Sequence, residues 1–370
     1  MIRVGLIFNH AEIIGGGEIS FIDLADEIRN FGVEPVGIVP GVGGVRARLN
    51  ALGIQTAEAA WPPIGVRSLV DMPRHIHSAA ILFRKLGLNL VHANGARCML
   101  YAGPAARRLP IPCVWHVRVL DRDRLLDRIR AWYASAIIVN SGAVAATLKP
   151  CVSSSRKIEL VYNGLDLENI NLIKPLDLSH EFGLPDAPVV LAAGRFSPWK
   201  GFEDLIRACA ILKKKSIAFT CLLVGKAMPE ENDCEVQLKK QARQLGLANV
   251  LFAGWREDVP AIMKSSSVFV LPSRGEPFGR VVVEALACGL PVVATNEGGP
   301  AEIIHDKVNG IMVGTGDASQ MAYAIEMILR DKMLAGRLRD AGLKRAKDFT
   351  LQKHAGQVAR IYQDVLRKRN

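Results

Sequence analysis

Several things are scarce in this chain, and each absence narrows the reading. No stretch approaches about 18 uninterrupted apolar residues, so no segment reads as a membrane-spanning helix. There is no Cys-x-x-Cys pair. The seven cysteines, Cys98, Cys113, Cys151, Cys209, Cys221, Cys234 and Cys288, are scattered with no histidine cluster beside them. They read as reduced, mostly buried thiols of a cytosolic protein, with no zinc site. Aromatic residues make up only 6% and do not interleave with basic ones in a way suited to stacking on bases, so nucleic acid is not an expected partner. The dinucleotide fingerprint G-x-G-x-x-G is missing, which disfavours a dinucleotide oxidoreductase. The opening MIRVGLIFNH has one arginine and an apolar run that breaks at Asn9 without a small-residue cleavage site. It is expected to be a first β-strand and not a signal peptide.

What the chain does have is length and positive charge. At 370 residues and 49% hydrophobic it is long enough for two α/β domains, since single cores seldom grow past about 250–300 residues. The net charge is +11, spread over both halves, which argues against a dedicated basic tail. Such a balance suits anionic ligands or an anionic membrane surface, and it also serves solubility.

The most informative stretch runs from Pro272 to Glu302. A loop with Gly275, Pro277 and Gly279 leads into an apolar helical run over 281–288. Gly289 and Pro291 stop that helix, and PVVAT then reads as a short buried strand before the turn Gly298-Gly299-Pro300. The helix, expected to start near Phe278, offers free backbone N–H groups and a positive dipole end to an anion such as a diphosphate. Glu276 lies before it and Glu284 about two turns along. Acids so placed would repel a phosphate on contact and are better suited to accepting from hydroxyls; the plainer alternative is two solvated charges. The whole string closely resembles the donor-site signature of the retaining glycosyltransferases of family 4, which have the GT-B fold. That signature reads Glu-Pro-Phe-Gly, a Glu after a seven-residue gap, Gly-x-Pro-Val-Val-Ala-Thr, and Gly-Gly-x-x-Glu. The resemblance implies that Glu276 reads the sugar and Glu284 the ribose, with Phe278, Gly279 and Arg280 also at the donor.

In the N-terminal half, Gly15-Gly16-Gly17 separate the strand over 2–8 from a helix, FIDLADEIRNFG, with Phe21, Leu24, Ala25 and Ile28 on one face. Backbone there allows close approach of a ligand. By resemblance, Gly15, Gly16 and Gly17, and more loosely Glu18, touch the donor diphosphate or the acceptor. His92 and Asn94 end the strand LNLVHANG; His116 ends IPCVWHV, and Arg118 follows it. Ligands of open parallel sheets collect at the carboxyl ends of strands. An isolated histidine packs by default; the resemblance gives His116 a contact with the transferred sugar and leaves His92, Asn94 and Arg118 to sugar or acceptor. Residues 67–86 carry Arg67, Arg74, His75, His77, Arg84 and Lys85 around an apolar set, a pattern for a helix on anionic lipid or for an ordinary packed helix. Leu125, Leu126, Ile129, Trp132 and Tyr133 form a stripe expected to be core, opposite Arg122, Arg124, Arg128 and Arg130. Residues 167–178 read as a linker.

The second half opens with a buried strand, Gly194-Arg195, a short loop, Lys200-Gly201 and a helix. Arg195 and Lys200 there could pinch a diphosphate and neutralise a leaving group, or be two surface cations. The resemblance places both on the donor phosphates, and places Gly254, Trp255 and Arg256 at the nucleotide base, largely through backbone. The final helix, 351–369, is expected to cross back to the first domain.

The expected fold class is α/β: two doubly wound parallel-sheet, Rossmann-like domains facing across a cleft, the GT-B arrangement. The expected domains are 1–168 for the acceptor, 169–350 for the donor, and the helix 351–370. The expected function is transfer of a sugar, with retention, from a nucleoside diphosphate to a hydroxyl acceptor, a glycan or lipid-linked saccharide. His116, Glu276, Arg195 and Lys200 are the expected catalytic group. No cofactor and no metal are expected, on the reading that the chain carries no Asp-x-Asp motif and that Arg195, Lys200 and the helix start neutralise the diphosphate. The expected location is cytoplasmic, with peripheral contact to the inner face of an anionic membrane. The alternatives are a sugar-nucleotide 2-epimerase of the same fold and a non-catalytic nucleotide-sugar binding protein.

Overall fold

The computed structural model describes residues 1–153, 157–228 and 231–368, and among these every side chain except those of 66–69 and 232. The side chain of Arg67 and the whole of Arg369 therefore lie outside the described residues. The chain divides into two compact units, one comprising Met1–Leu165 and the chain from Thr350, the other Asp166–Phe349.

In the first unit, β1 (Ile2–Ile7), β2 (Val33–Val39), β3 (Thr56–Glu58), β4 (Leu90–Asn94), β5 (Cys113–Val117), β6 (Ala136–Val139) and β7 (Ile158–Leu160) form a sheet in the order β3-β2-β1-β4-β5-β6-β7. Every pairing is parallel. Its central strands are near-continuous apolar runs because both faces are covered. α1 (Gly16–Glu27), α2 (Gly44–Ala51) and the C-terminal α16 (Leu351–Arg367) cover one face. α3 (Val66–Lys85), α4 (Ala96–Arg108), α5 (Arg124–Tyr133) and α6 (Gly142–Leu148) cover the other. α1 begins at Gly16 and not near Phe21, so Gly16 and Gly17 form its first turn and Gly15 its N-cap.

Helix α5 overturns the expected core stripe. Leu125, Ile129 and Trp132 are 70%, 40% and 58% exposed, while Asp127 and Arg130 are buried. The ion pair decides the orientation. Arg130 donates to Asp127 Oδ1 at 2.6 Å and to the Ala96 carbonyl at 3.0 Å, and Arg122 approaches Asp127 Oδ2 at 3.6 Å. The buried charge pair, hydrogen-bonded through Asp127 Oδ1 with Oδ2 met only by the Arg122 charge, holds that face inward, leaving Leu126 and Tyr133 to pack partly on the core.

In the second unit, β8 (Val189–Ala193), β9 (Thr220–Val224), β10 (Val250–Gly254), β11 (Val268–Leu271), β12 (Val292–Thr295) and β13 (Ile311–Val313) form a parallel sheet in the order β10-β9-β8-β11-β12-β13. Its helices are α7 (Leu167–Leu172), α8 (Leu178–Phe182), α9 (Phe202–Lys214), α10 (Asn232–Gln244), α11 (Val259–Lys264), α12 (Arg280–Ala287), α13 (Pro300–Ile303), α14 (Ala318–Arg330) and α15 (Lys332–Ala346). The stretch read as a linker carries α7 and the start of α8. It is tied to this unit by Lys264, which donates to the carbonyls of Asn171 and Ile173.

Both sheets reverse their strand order once, between β1 and β4 and between β8 and β11. The crevice outside the carboxyl ends at such a reversal is where doubly wound sheets bind ligands. Aspartates cap α7, α8, α14 and α15. By contrast α9 and α12 begin on Gly201 and Gly279, in left-handed conformation with no side-chain cap among the described residues. Their N-termini thus carry no side-chain cap to compete with an anion there.

Candidate active site

At the reversal in the second unit the loops after β8, β11 and β12 touch backbone to backbone, and glycine permits it. At Gly201, with φ +66°, a Cβ would stand 2.1 Å from the Pro272 carbonyl oxygen. At Gly298, with φ +78°, a Cβ would stand 2.1 Å from the Glu276 carbonyl oxygen. The Gly299 amide donates to that same carbonyl at 2.8 Å, and the Arg274 amide donates to Trp199 O at 2.7 Å. The Arg274 guanidinium reaches Glu203 and the fully buried Asp204 at 2.8 Å each. This clamp joins the Lys200 loop to the Glu276 loop. It escaped the sequence reading because Asp204 and Arg274 are 70 positions apart.

The centre of the arrangement is an ion pair. Lys200 Nζ donates to Glu276 Oε2 at 2.6 Å, with the two side chains 12% and 10% exposed. Ser273 Oγ lies 3.3 Å from the same carboxylate oxygen, and the ammonium stands 4.3 Å from the Trp199 ring centre. Arg195, about a third exposed, pairs with Glu231 at 3.5 Å. Two cations thus stand at the start of one helix beside the motif loop that leads into another.

Glu284 is one turn into α12 and not two, because the helix begins at Arg280. Its carboxylate accepts from Arg280 Nε at 2.9 Å. Phe278 is buried, edge-on to Phe349 at 5.9 Å, so its backbone is what it can offer. Arg256 donates twice to Asp258, at 2.8 and 2.7 Å, and once to Glu181 at 2.6 Å. Those carboxylates raise its pKa, and the guanidinium is committed to holding α8. Trp255 is half exposed, with Lys226 Nζ 5.5 Å from its ring centre, and the Gly225 amide donates to Gly254 O. Lys226 was missed although it stands two residues past the end of β9, where the strand-end criterion that picked out His116 applies.

In the first unit Arg118 is the hub. It donates to Asn94 Oδ1 at 2.7 Å, to Ser20 Oγ at 3.3 Å, to Asn163 Oδ1 and to His116 Nδ1 at 3.2 Å. Because arginine only donates, His116 Nδ1 must be the bare nitrogen, and the proton sits on Nε2. His92 and His116 are fully buried and stack at 5.3 Å with their planes 8° apart. The α16 residue Tyr362 lies 2.5 Å from His92 Nδ1. Burial first, then the Arg118 charge, holds both imidazoles well below their usual pKa, so they are neutral. The Nε2 atoms of both have no partner among the described residues. Glu18 is buried in the first turn of α1, and Gly17 packs near Arg118.

One Asp-x-Asp string does occur, Asp121-Arg122-Asp123, against the expectation. Asp123 is the N-cap of α5 and accepts from the Leu126 amide at 3.1 Å, a structural use.

Residues 178–345 match the family model described as Glycosyl transferases group 1, and residues 14–169 the one described as Glycosyltransferase Family 4. This chain belongs to the family 4 glycosyltransferases. The lipopolysaccharide core biosynthesis glycosyltransferase LpsE of Rhizobium meliloti (strain 1021) is 41% identical over 158 residues. That match spans 42% of this glycosyltransferase and 44% of LpsE, under half of either. The D-inositol 3-phosphate glycosyltransferase of Stackebrandtia nassauensis is 28% identical over 342 residues, 86% of this chain and 72% of that one. Among solved structures, HepE of Anabaena in complex with UDP and glucose has a TM-score of 0.85 at 26% identity, covering 98% of this chain and 100% of that one. HepE has also been solved with UDP-glucose, with a TM-score of 0.86. The two parallel sheets are those of a GT-B glycosyltransferase.

Proposed function

We propose that this glycosyltransferase moves a sugar, with retention, from a nucleoside diphosphate onto a hydroxyl of a glycan or lipid-linked acceptor. The observation that carries the reading is the Lys200–Glu276 pair beside the start of α12, which no described side chain caps. On donor binding Lys200 exchanges Glu276 for a diphosphate oxygen, joined by Arg195 and the first amides of α12. Glu276, released from the ammonium, accepts from sugar hydroxyls. The bond from the anomeric carbon to the phosphate oxygen breaks with its electron pair on the diphosphate, the acceptor oxygen bonds to that carbon on the same face, and the acceptor's hydroxyl proton passes to the departing diphosphate oxygen. No side-chain nucleophile is assigned.

Glu284 accepts from the ribose hydroxyls after parting from Arg280. Gly254, Trp255 and the backbone of Arg256 line the base. A UDP-sugar is the favoured donor, supported by the complexes of HepE, 26% identical over the whole of its chain. In the first unit Gly16 and Gly17 serve the donor, Glu18, His92, Asn94 and Arg118 serve the acceptor or the sugar, and the Nε2–H of His116 is a donor to a hydroxyl oxygen of the sugar. With two cations and a helix start available for the diphosphate, the reaction needs no metal. The enzyme works as a peripheral protein at an anionic membrane.

The test is a panel of UDP-, GDP- and ADP-sugars followed by thermal unfolding, since a ligand of the native state raises its midpoint. One nucleotide class should stabilise, and its release should be measurable with an acceptor in excess chelator. Magnesium-dependent turnover would overturn the metal-free reading, and formation of the donor's epimer without acceptor would replace transfer by epimerisation.

A further inference from the structure

Helix α5 exposes what packing alone would bury and buries what water would keep. Leu125, Ile129 and Trp132, spaced at i, i+4 and i+7, share its outer side, and the inner side holds the Asp127–Arg130 pair. Apolar burial is the main favourable term in folding, so an exposed apolar stripe over a buried ion pair points to a second medium on that side. The charges around the stripe say which. Arg124 and Arg128 flank it, both exposed, and the Arg107 guanidinium of the neighbouring α4 lies 3.9 Å from the Trp132 ring centre. On the far side of α4, α3 belongs to the same helical layer and adds exposed Arg74, Arg84 and Lys85. The exposed carboxylates before the stripe are Asp121 and Asp123, the latter engaged as the helix cap.

We infer that α5 is a membrane-contact helix, with Leu125, Ile129 and Trp132 entering the headgroup–acyl boundary of an anionic bilayer. Arg107, Arg124 and Arg128 meet the lipid phosphates. A ten-residue helix held by its buried side lies in the plane of such a surface, apolar side down and cations at its flank. An indole over an arginine suits the same depth, with one end apolar and the other wet. The inference locates the membrane contact of the proposed function; flotation is read without donor, acceptor or turnover, so its failure would leave glycosyl transfer untouched.

The experiment is flotation of the full chain with vesicles of phosphatidylcholine alone and of phosphatidylcholine mixed with phosphatidylglycerol, at low and moderate salt. The chain should float with the mixed vesicles at low salt and less at moderate salt. Trp132→Ser with Leu125→Ser should cut partitioning on the order of a hundredfold. Trp132→Phe should keep most of it, and unchanged thermal midpoints would show that both variants fold. No flotation of the wild type at low salt, or flotation of the double variant equal to wild type, overturns the inference. A wild-type dimer that Trp132→Ser converts to monomer, with no flotation, would also overturn it and make the stripe a self-association surface.

Discussion

Lys200→Ala separates what the Lys200–Glu276 pair does for the fold from what it does for the reaction. The substitution strands a carboxylate that is 10% exposed and keeps Ser273 as its remaining neighbour. Breaking a fully buried pair costs roughly 3–5 kcal/mol and an exposed one roughly 0–1. Side chains this nearly enclosed fall between, and we expect a loss of about 2–3 kcal/mol in urea denaturation. Adding Glu276→Gln removes the stranded charge, so the double variant should recover most of that stability. Activity should behave differently. Losing a preorganised cation at a developing negative charge costs roughly 2–4 kcal/mol of transition-state stabilisation, and nothing in the double variant restores it. Stability should therefore return while kcat/KM stays down by at least about 10²–10³, the loss set by Lys200 alone, since Glu276→Gln adds its own. A double variant as unstable as Lys200→Ala would show that the ion pair is not what the carboxylate relies on. One with wild-type turnover would remove Lys200 from the site.

Three further outcomes follow from the same geometry. Glu276→Gln should lower kcat by about 10²-fold, and Glu284→Gln should mainly raise the donor KM; equal losses of nucleotide affinity in calorimetry would contradict that division. Gly298→Ala should lower stability by well over the roughly 1–2 kcal/mol of left-handed strain, because its Cβ would meet the Glu276 carbonyl oxygen at 2.1 Å. Gly316→Ala, with φ +77° and no described atom within 4 Å, should cost the strain alone, and equal losses in the two would refute the close approach. Burial and Arg118 hold His92 and His116 well below the ordinary histidine value of about 6.5, so below pH 6.5 the unfolded chain binds more protons than the folded one. Stability should be full above that pH and fall beneath it by about 1.4 kcal/mol per pH unit for each histidine until the folded pKa is reached; a flat profile down to about pH 5.5 would show that the rings are accessible and charged.

The alternation of strands and helices was legible because buried parallel strands read as continuous apolar runs and because glycine turns mark their ends. Motif residues near each other in the chain, such as Glu276 and Gly298-Gly299, could be read for the same reason: a loop, a helix and a turn close locally. Contacts across long separations left no such trace. Asp204 to Arg274 and Tyr362 to His92 are set by which strands neighbour which, and no spacing encodes that. Helix α5 marks a different limit. Its period showed an apolar stripe and a charged side, but period alone cannot say which side a fold turns inward. Burial of Asp127 with Arg130 decided it. The start of α12 shifted from Phe278 to Arg280 because left-handed Gly279 is its N-cap, and that left Glu284 one turn along it instead of two.

The most direct test of the central claim is calorimetric titration of the full chain with a nucleotide sugar, UDP-glucose first and GDP- and ADP-glucose beside it. Arg195→Ala and Lys200→Ala variants are run in parallel. Saturable binding of one nucleotide class, weakened at least about tenfold in each variant, is the predicted result. No binding of any of the three donors, or wild-type affinity in both variants, would contradict a diphosphate-sugar site at the Lys200–Glu276 pair.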